Sequence, residues 1–125
     1  MRRSTLIAAG LFALGTLAAQ PVAASAAEYG AIAYDVASGR IGYSWHGPSV
    51  ANANQAAINA CGTAGCRIVI EIGPGLCGAL ATAPNPAGWG AASRSTRADA
   101  ELGAITDCQR VNYGQCRIQV SDCNQ

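Results

Sequence analysis

The sequence predicts an α+β fold in which two tandem β-β-α-β pseudo-repeats form an antiparallel sheet, with two helices on one face and disulfides as cross-links. Three observations predict it. Short strand-like runs alternate with helix-like runs, the same order of runs occurs twice, and the chain contains six cysteines. An internal repeat determines the architecture because each copy is one supersecondary unit that buries its apolar face against its neighbour.

The repeat becomes visible when Cys61 is set over Cys108. Alanines and an isoleucine then coincide without a gap over eight positions, and two further blocks match in the same order. A single match could arise by chance in an alanine-rich chain, but three in register indicate a duplication. The matched blocks are Gly30–Ala33 with Gly78–Ala81, Ala51–Ile58 with Ala98–Ile105, and Cys66–Ile68 with Cys116–Ile118.

The first copy has the local signals of two strands, a helix and a third strand. Asp35–Gly39 has turn chemistry and separates two short apolar runs, which predicts a hairpin. Ser49 is a good N-cap, and the apolar residues that follow it recur on one helical face. The predicted elements are strands at Gly30–Tyr34 and Ile41–Trp45, a helix ending at Cys61, and a strand at Arg67–Ile72.

The second copy has the same order of signals. Ala83–Gly88 is rich in proline and glycine and supplies the hairpin turn. Thr96, with Asp99 three residues later, forms a capping box at a helix start. The predicted elements are strands at Ala79–Thr82 and Trp89–Ser93, a helix ending at Cys108, a loop at Gln109–Gln115, and a strand at Arg117–Val120.

Residues 1–27 are interpreted as a secretory signal peptide. Arg2 and Arg3 precede the apolar run Leu6–Ala19, and small residues follow, which is the order of an export signal cleaved after Ala26 or Ala27. A membrane anchor is the weaker interpretation because a span needs roughly 20 apolar residues. The remaining residues 28–125 are expected to form one domain of two repeats, about 28–77 and 78–125.

The composition after residue 27 argues against two classes of partner. The chain has no lysine, and without Arg2 and Arg3 six arginines face seven carboxylates. A nucleic-acid-binding protein would normally carry a basic stripe. The sequence has no such stripe, so the chain is not expected to bind nucleic acid. No later segment is long and apolar enough to predict a membrane span in the mature chain. The predicted location is extracellular, periplasmic or elsewhere in the cell envelope.

The six cysteines are interpreted as three disulfides because the export signal implies an oxidising compartment. Six cysteines allow fifteen connectivities, and only the symmetry of the repeat favours one of them. Each copy would close its own helix-to-strand turn, and the remaining pair would join the two halves. The predicted pairs are Cys61–Cys66, Cys108–Cys116 and Cys77–Cys123.

A metal site is the alternative interpretation of the same cysteines. Two spaced cysteine pairs resemble a loose four-thiolate zinc site, and zinc also stabilises small folds. The gaps of four and seven residues are wider than the usual two, and the chain has one histidine. No metal and no cofactor are therefore predicted.

His46 is the residue on which a catalytic hypothesis would depend. A histidine acting as general base needs a nucleophile and an orienting carboxylate within reach. Ser44, Ser49, Asp35 and Glu71 are the conceivable partners. The second copy has no histidine at the matching place and the chain has no nucleophile-elbow motif, so no catalytic residue is predicted.

The remaining chemistry-bearing residues are aromatics in the second strand of each copy and arginines before the second helix. Aromatics on an exposed strand stack on sugars or anchor a protein partner, but they also fill cores. Two arginines near a helix start can hold an anion, but they can also be solvated beside an ordinary cap. The candidate ligand surface consists of Tyr43, Trp45, His46, Trp89, Arg94 and Arg97.

Several blocks resemble the domain of unknown function 4189 family. They are Tyr-Gly-Ala-Ile-Ala-Tyr at 29–34, Gly-Tyr-Ser-Trp at 42–45, the alanine-rich helix ending in Cys61, and Cys-Gly-Ala-Leu-Ala at 77–81. The resemblance spans nearly all of residues 28–125 and implies a small secreted bacterial domain. The family implies no activity, cofactor or functional residue.

The expected function is that of a secreted, non-catalytic binding module for a protein or glycan partner in the envelope or extracellular space. One alternative is a small secreted hydrolase that uses His46. Another is an extracellular inhibitor or neutralising protein that blocks a partner's cleft with a rigid loop, Gly73–Cys77 or Ala83–Gly88.

Overall fold

The computed structural model describes residues 27–111 and 114–125, together with Gly15. The predicted signal peptide therefore lies outside the described residues except at Gly15 and Ala27. The elements in chain order are β1 (Tyr29–Tyr34), β2 (Ile41–Gly47), α1 (Val50–Cys61), β3 (Arg67–Ile72), β4 (Cys77–Thr82), β5 (Trp89–Arg94), α2 (Arg97–Val111) and β6 (Arg117–Cys123).

The elements confirm the α+β class and the two β-β-α-β units. In each unit the first strand lies in the centre and pairs antiparallel with both others, giving strand orders β2-β1-β3 and β5-β4-β6. The registers also correspond, because Gly30 lies opposite Ile72 and Gly78 lies opposite Asp122. The duplication in the sequence is therefore a duplication of topology.

The strands form two three-stranded sheets, so the expected single sheet with both helices on one face is wrong. The sheets pack face to face around a core that includes Ile32, Tyr34 and Leu80. Each helix covers the outer face of its own sheet, where β1 presents Ala31 and Ala33 to α1. The central strands are buried on both faces, so a single sheet would leave their larger side chains in water.

Glycines at matched positions let each helix lie directly on its sheet. A Cβ on Gly42 would overlap the α1 backbone at Ala57 and Cys61. A Cβ on Gly90 would overlap the α2 backbone at Ala104 and Cys108 in the same way. The two units therefore share one packing device, a glycine on the second strand under the last turns of the helix.

The helix starts follow the sequence signals, and one helix end differs from expectation. Ser49 Oγ accepts a hydrogen bond from the N–H of Asn52 at 3.1 Å, and Thr96 Oγ1 accepts one from Asp99 at 3.2 Å. Helix α2 continues through Val111, three residues beyond the predicted end at Cys108. The residues after Cys108 contain no glycine or proline before residue 112, so nothing stops the helix at the disulfide.

The three disulfides are Cys61–Cys66, Cys77–Cys123 and Cys108–Cys116, which are the pairs that the repeat predicts. Two of them close equivalent helix-to-strand turns. The third does not join the two halves as expected, because Cys77 is the first residue of β4 and lies opposite Cys123 of β6. It fastens the centre of the second sheet to its edge.

The two halves are joined at the C-terminus by Asn124. This residue is 2% exposed, and its side-chain amide donates to the carbonyls of Ile72 and Gly73, at 3.0 and 3.2 Å. Its Oδ1 accepts a hydrogen bond from the N–H of His46 at 3.0 Å. A residue that follows the second sheet therefore satisfies three main-chain groups of the first repeat.

Across the ranges that the structure describes, neither α1 nor α2 is long and apolar enough to cross a membrane.

Candidate functional site

Trp45 and Trp89 are partly buried and pack against the core between the two sheets. Both pack against the cluster of Ile32, Tyr34 and Leu80. The ring of Trp89 meets that of Tyr34 edge to face at 6.3 Å between centroids. Their inner faces therefore serve the core, which was the other interpretation of these residues, and each side chain keeps a partly exposed portion.

Tyr34 connects the two repeats through its hydroxyl. It donates a hydrogen bond to the carbonyl of Pro86 in the second hairpin at 2.8 Å. Burial raises the pKa of Tyr34, and the neighbouring Asp35 carboxylate raises it further. The phenol therefore stays protonated and acts as a structural donor.

His46 lies in a β-bulge, and its φ of 59° is in the left-handed region, where a non-glycine residue is strained. The register between β1 and β2 shifts between Tyr29 and Ala31, so β2 has one residue more than β5. The hydrogen bond from the His46 N–H to Asn124 holds this conformation. Bulges commonly re-aim a side chain, which here directs the imidazole to the surface.

The partner of His46 is Glu28, which the sequence analysis did not single out. Nδ1 of His46 lies 2.9 Å from Oε2 of Glu28, and both side chains are a little under half exposed. The serines considered as nucleophiles are engaged elsewhere. Ser44 Oγ donates to the carbonyl of Ala53 at 2.6 Å, and Ser49 caps α1. The structure therefore pairs a carboxylate with the histidine but places neither serine beside it.

Asp35 and Glu71 also form hydrogen bonds that stabilise the fold. The Asp35 carboxylate accepts hydrogen bonds from the hydroxyls of Thr63 at 2.6 Å and Ser38 at 2.8 Å. These two donors, the Thr63 hydroxyl first, hold the pKa of Asp35 below its usual range. Glu71 accepts from the side-chain amide of Asn54 at 3.0 Å. Asp35 therefore ties the first hairpin to the loop closed by the first disulfide.

Arg97 is committed to the outer strand β6. Its guanidinium donates to the hydroxyl and the carbonyl of Ser121, at 3.0 and 2.7 Å, and lies 3.5 Å from Glu101. The Ser121 hydroxyl in turn donates to Glu101 at 2.6 Å. The predicted pair of arginines is therefore divided, since Arg97 fixes α2 to β6 while Arg94 lies on the other side of the helix.

Arg94 lines a groove between α2 and β5, which we call the α2–β5 groove. The groove encloses about 530 Å³. Its helical wall contains Leu102, which is 66% exposed, the highest value among the large exposed hydrophobic residues of the described chain. The lining residues are Ala91, Arg94, Asp99, Leu102, Gly103, Thr106, Asp107 and Arg110.

The close approach of α2 to β5 depends on Gly103. A Cβ at this position would lie 2.8 Å from the Ala92 Cβ and 3.3 Å from Nη2 of Arg94. Farther along the helix, Oδ2 of Asp107 accepts a hydrogen bond from the N–H of Ala91 at 3.2 Å. The Asp107 carboxylate therefore satisfies a main-chain N–H donor on the outer edge of β5.

The first repeat does not present the same side chains at the matching helix positions. The alignment that sets Cys61 over Cys108 places Gln55, Ala56, Asn59 and Thr63 where the second repeat has Leu102, Gly103, Thr106 and Arg110. In the first repeat Gln55 and Asn59 bond each other at 2.9 Å, and Thr63 bonds Asp35. The groove chemistry therefore belongs to the second repeat alone.

Leu102, Gly103 and Arg110 were missed by the sequence analysis, although a signal was present. Asp99, Leu102, Thr106 and Arg110 recur at spacings of three and four, which places them on one face of a helix. That face is polar except for one leucine. A comparison of the helices for positions where the copies differ would have identified it.

The two proline-bearing loops differ in the hydrogen bonds that fasten them. Gly73–Cys77 is fastened by Asn124. The Asn124 side chain donates to the Gly73 carbonyl, its main-chain N–H donates to the Leu76 carbonyl, and its own carbonyl accepts from the Gly75 N–H. Ala83–Gly88 is closed by a hydrogen bond from Ala83 N–H to Gly88 O at 2.8 Å, and its tip is exposed. Pro74 and Gly75 at the tip of the first loop are exposed as well.

Residues 27–111 and 114–125 contain no group of three or more histidine, cysteine, aspartate or glutamate side chains arranged to hold a metal ion.

Comparison with known proteins identifies a matching family and a similar solved structure. The family model described as "Domain of unknown function (DUF4189)" matches residues 29–123. The chain is similar to the NMR structure of Rv1813c from Mycobacterium tuberculosis, with 27% identity and a TM-score of 0.58. That match covers 99% of this chain and 95% of the other. No curated protein matched the chain.

Proposed function

The protein belongs to the DUF4189 family, a domain of unknown function, and we propose that it acts outside the cytoplasm as a non-catalytic binding module whose ligand surface is the α2–β5 groove. The groove is the single observation that carries the proposal. It combines an exposed leucine with two guanidiniums and two carboxylates at a concave surface, where polar groups of both charges can orient a ligand.

Location outside the cytoplasm is supported by two features. The first 27 residues have the order of an export signal. All six cysteines are paired in disulfides, which persist in oxidising compartments.

The absence of catalysis is supported by how the conceivable catalytic groups are used. Ser44, Ser49, Asp35 and Glu71 each form a hydrogen bond that stabilises the fold. None of these bonds involves His46, so the residues proposed as its partners do not assemble a nucleophile with a base.

The test uses the oxidised domain on resin, exposed to envelope and extracellular extracts, with bound proteins and glycans quantified by mass spectrometry. Leu102→Gln gives the groove the side chain of the first repeat, and Gln55→Ala is the control on α1. We expect material that is retained by the wild type and Gln55→Ala but lost from Leu102→Gln. Retention by all three proteins, or none above bare resin, would contradict the proposal.

A small hydrolase that uses His46 is the second candidate, favoured by the 2.9 Å contact between His46 and Glu28. A carboxylate on Nδ1 orients an imidazole and leaves Nε2 free to accept a proton. The measurement is hydrolysis of ester, peptide and glycan substrates by wild type, His46→Ala and Glu28→Gln. Turnover that both substitutions reduce would support this candidate, and equal rates in all three proteins would exclude it.

A further inference from the structure

We propose that the Cys77–Cys123 disulfide is a redox-sensitive switch, and that its reduction releases Asn124 and thereby the strained backbone of His46 in the first repeat. The inference concerns the paired ends of β4 and β6 and the bulge of β2, so it is independent of the α2–β5 groove. Three observations carry it. Asn124 directly follows Cys123, its side chain holds the bulge, and a reductant can reach one of the two sulfurs.

Asn124 is held at the end of the second sheet by its neighbour in the disulfide. Cys77 and Cys123 are the end pair of the β4–β6 ladder, and β6 is an edge strand that pairs with β4 alone. Beyond that pair the Asn124 N–H donates to the Leu76 carbonyl at 2.9 Å, and the Asn124 carbonyl accepts from the Gly75 N–H at 3.0 Å. Strand ends open locally at a lower free energy than the core, so the disulfide is the bond that keeps this end closed.

The side chain of Asn124 in turn holds His46 in its left-handed conformation. Asn124 Oδ1 accepts a hydrogen bond from the His46 N–H at 3.0 Å, and the φ of His46 is 59°. A non-glycine residue keeps such a φ only while surrounding contacts enforce it. The alternative is an extended residue, which slips the end of β2 by one position and moves its side chains to the other face. Release of Asn124 therefore changes the exposed pair of His46 and Glu28, whose Nδ1 and Oε2 atoms lie 2.9 Å apart.

The burial of the cysteines determines which disulfide a reductant reaches. Cys61 and Cys66 are 0% and 4% exposed, so both ends of this disulfide are shielded. Cys123 is partly exposed, whereas Cys77 is buried. Thiol–disulfide exchange needs access to one sulfur, so the attack occurs at Cys123.

The third disulfide is also accessible at one end, but it is not connected to His46. Cys116 is partly exposed, and Cys108 is buried. Among the described residues, none of those adjacent in sequence to either cysteine forms a hydrogen bond to the first repeat. Its reduction loosens the turn between α2 and β6 and therefore provides a control for the loss of a disulfide as such.

The chemical step is thiol–disulfide exchange with a dithiol. One thiolate of the dithiol attacks Sγ of Cys123 and forms a mixed disulfide, while Cys77 leaves as a thiolate and takes up a proton. The second thiolate of the reductant then attacks its own partner sulfur in the mixed disulfide, and Cys123 leaves and is protonated in the same way. The protein gains two electrons and two protons, and the dithiol loses them as it becomes a disulfide.

The test treats the oxidised, ¹⁵N-labelled protein with graded concentrations of dithiothreitol. The thiols that form are alkylated and located by peptide mass analysis, while amide chemical shifts are recorded by NMR. The variants are Cys77→Ser with Cys123→Ser, Cys108→Ser with Cys116→Ser as the matched disulfide control, and Asn124→Ala, which keeps every disulfide.

We expect Cys77–Cys123 to open at least about tenfold faster than Cys61–Cys66, because one of its sulfurs is accessible. Its reduction should shift the amide signals around Asn124 and leave those of α2 and β5 in place. The first serine pair and the Asn124 variant should show the same shifts without reductant, and the control pair should not. The reporting amides are those of His46, Gly73 and Gly75.

Equal or earlier reduction of Cys61–Cys66 would overturn the inference, and so would unchanged His46 signals after Cys77–Cys123 has opened. Loss of all folded signals at that point would overturn it too, because the disulfide would then hold the whole domain and would not be a local switch. The Asn124→Ala variant tests the coupling without touching a sulfur. Unchanged His46 signals in this variant would show that Asn124 does not hold the bulge.

Discussion

The two repeats share their frame and differ in what they expose. Each has a central strand buried on both faces, a glycine under its helix, and a disulfide at its helix-to-strand turn. The first repeat then has a bulge at His46 and a helix face of small and amide side chains. The second has the α2–β5 groove. Duplication preserved the contacts that bury apolar surface and left the outer helix faces free to diverge.

The two repeats also differ in how their third strand is fastened. Cys77 and Cys123 join β4 to β6 in the second repeat, and the matching positions in the first are Tyr29 and Gly73. In the first repeat Asn124 supplies hydrogen bonds at this end of β3 instead. The disulfide in the second repeat and the Asn124 side chain in the first therefore stabilise equivalent strand ends.

The largest effect is expected from removing the Cys77–Cys123 disulfide. It closes a loop with a sequence separation of 46, whereas Cys61–Cys66 closes one of 5. Loop-closure entropy predicts a loss of about 4 kcal/mol for Cys77→Ala with Cys123→Ala, against about 2 kcal/mol for Cys61→Ala with Cys66→Ala. Urea unfolding of the three oxidised proteins measures both, and equal losses would show that loop length does not decide the contribution.

A somewhat smaller and symmetric effect is expected at the packing glycines. Gly42→Ala and Gly90→Ala each place a methyl group against a helix backbone, at a cost of about 3 kcal/mol. Gly73→Ala is the control, since its nearest neighbour would be the flexible Leu76 side chain at 3.5 Å. Thermal unfolding measures all three. If only one of the two substitutions lowered the unfolding temperature, the two repeats would not pack their helices in an equivalent way.

The strain at His46 should appear as a difference between two substitutions that both remove the imidazole. His46→Gly should be more stable than His46→Ala by about 1 kcal/mol, because glycine adopts the positive φ without a Cβ clash. The same pair of substitutions at Arg94, which has no positive φ, should favour alanine. Equal stability of the two His46 variants would remove the evidence for backbone strain at the bulge.

The acid sensitivity of the first hairpin provides a finer comparison, since Ala83 stands where the first repeat has Asp35. Because the pKa of Asp35 is lowered in the folded state, its contribution is complete above the usual carboxyl pKa of about 4. It is lost as the pH falls through that value toward the folded pKa. Asp35→Asn should therefore flatten the acid side of the stability curve, measured by urea unfolding between neutral and acidic pH. The same dependence of unfolding free energy on pH in the wild type and in Asp35→Asn would contradict this expectation.

Much of the frame could be predicted from the sequence because local signals and repetition agree. Turn residues, N-caps and alanine spacing located every strand and helix, and symmetry selected the disulfide pairs. The division into two sheets was missed because the apolar pattern of a strand that is buried on both faces is the same in a single covered sheet as in two packed sheets. Gly42 and Gly90 stood at matched positions, but only the packing shows what they permit.

The candidate site was predictable only in part. Arg94 was identified from its position before a helix, but Leu102 and Arg110 become neighbours of the groove through the contact of α2 with β5. Trp45 and Trp89 looked like surface candidates because aromatic residues in strands suit both core and interface. Glu28 lies next to the predicted cleavage point, and only the bulge brings it to His46.

We propose that the outer helix face of the second repeat carries the binding function and that the first repeat does not. The most direct test gives that face the residues of the first repeat, as Leu102→Gln with Arg110→Thr. Retention of envelope and extracellular material on resin and the free energy of unfolding are then measured on the same protein. We expect at least a tenfold loss of retained material with the free energy of unfolding changed by no more than about 0.5 kcal/mol, because both positions are exposed. Unchanged retention by this variant would show that the outer helix face of the second repeat does not carry the binding function.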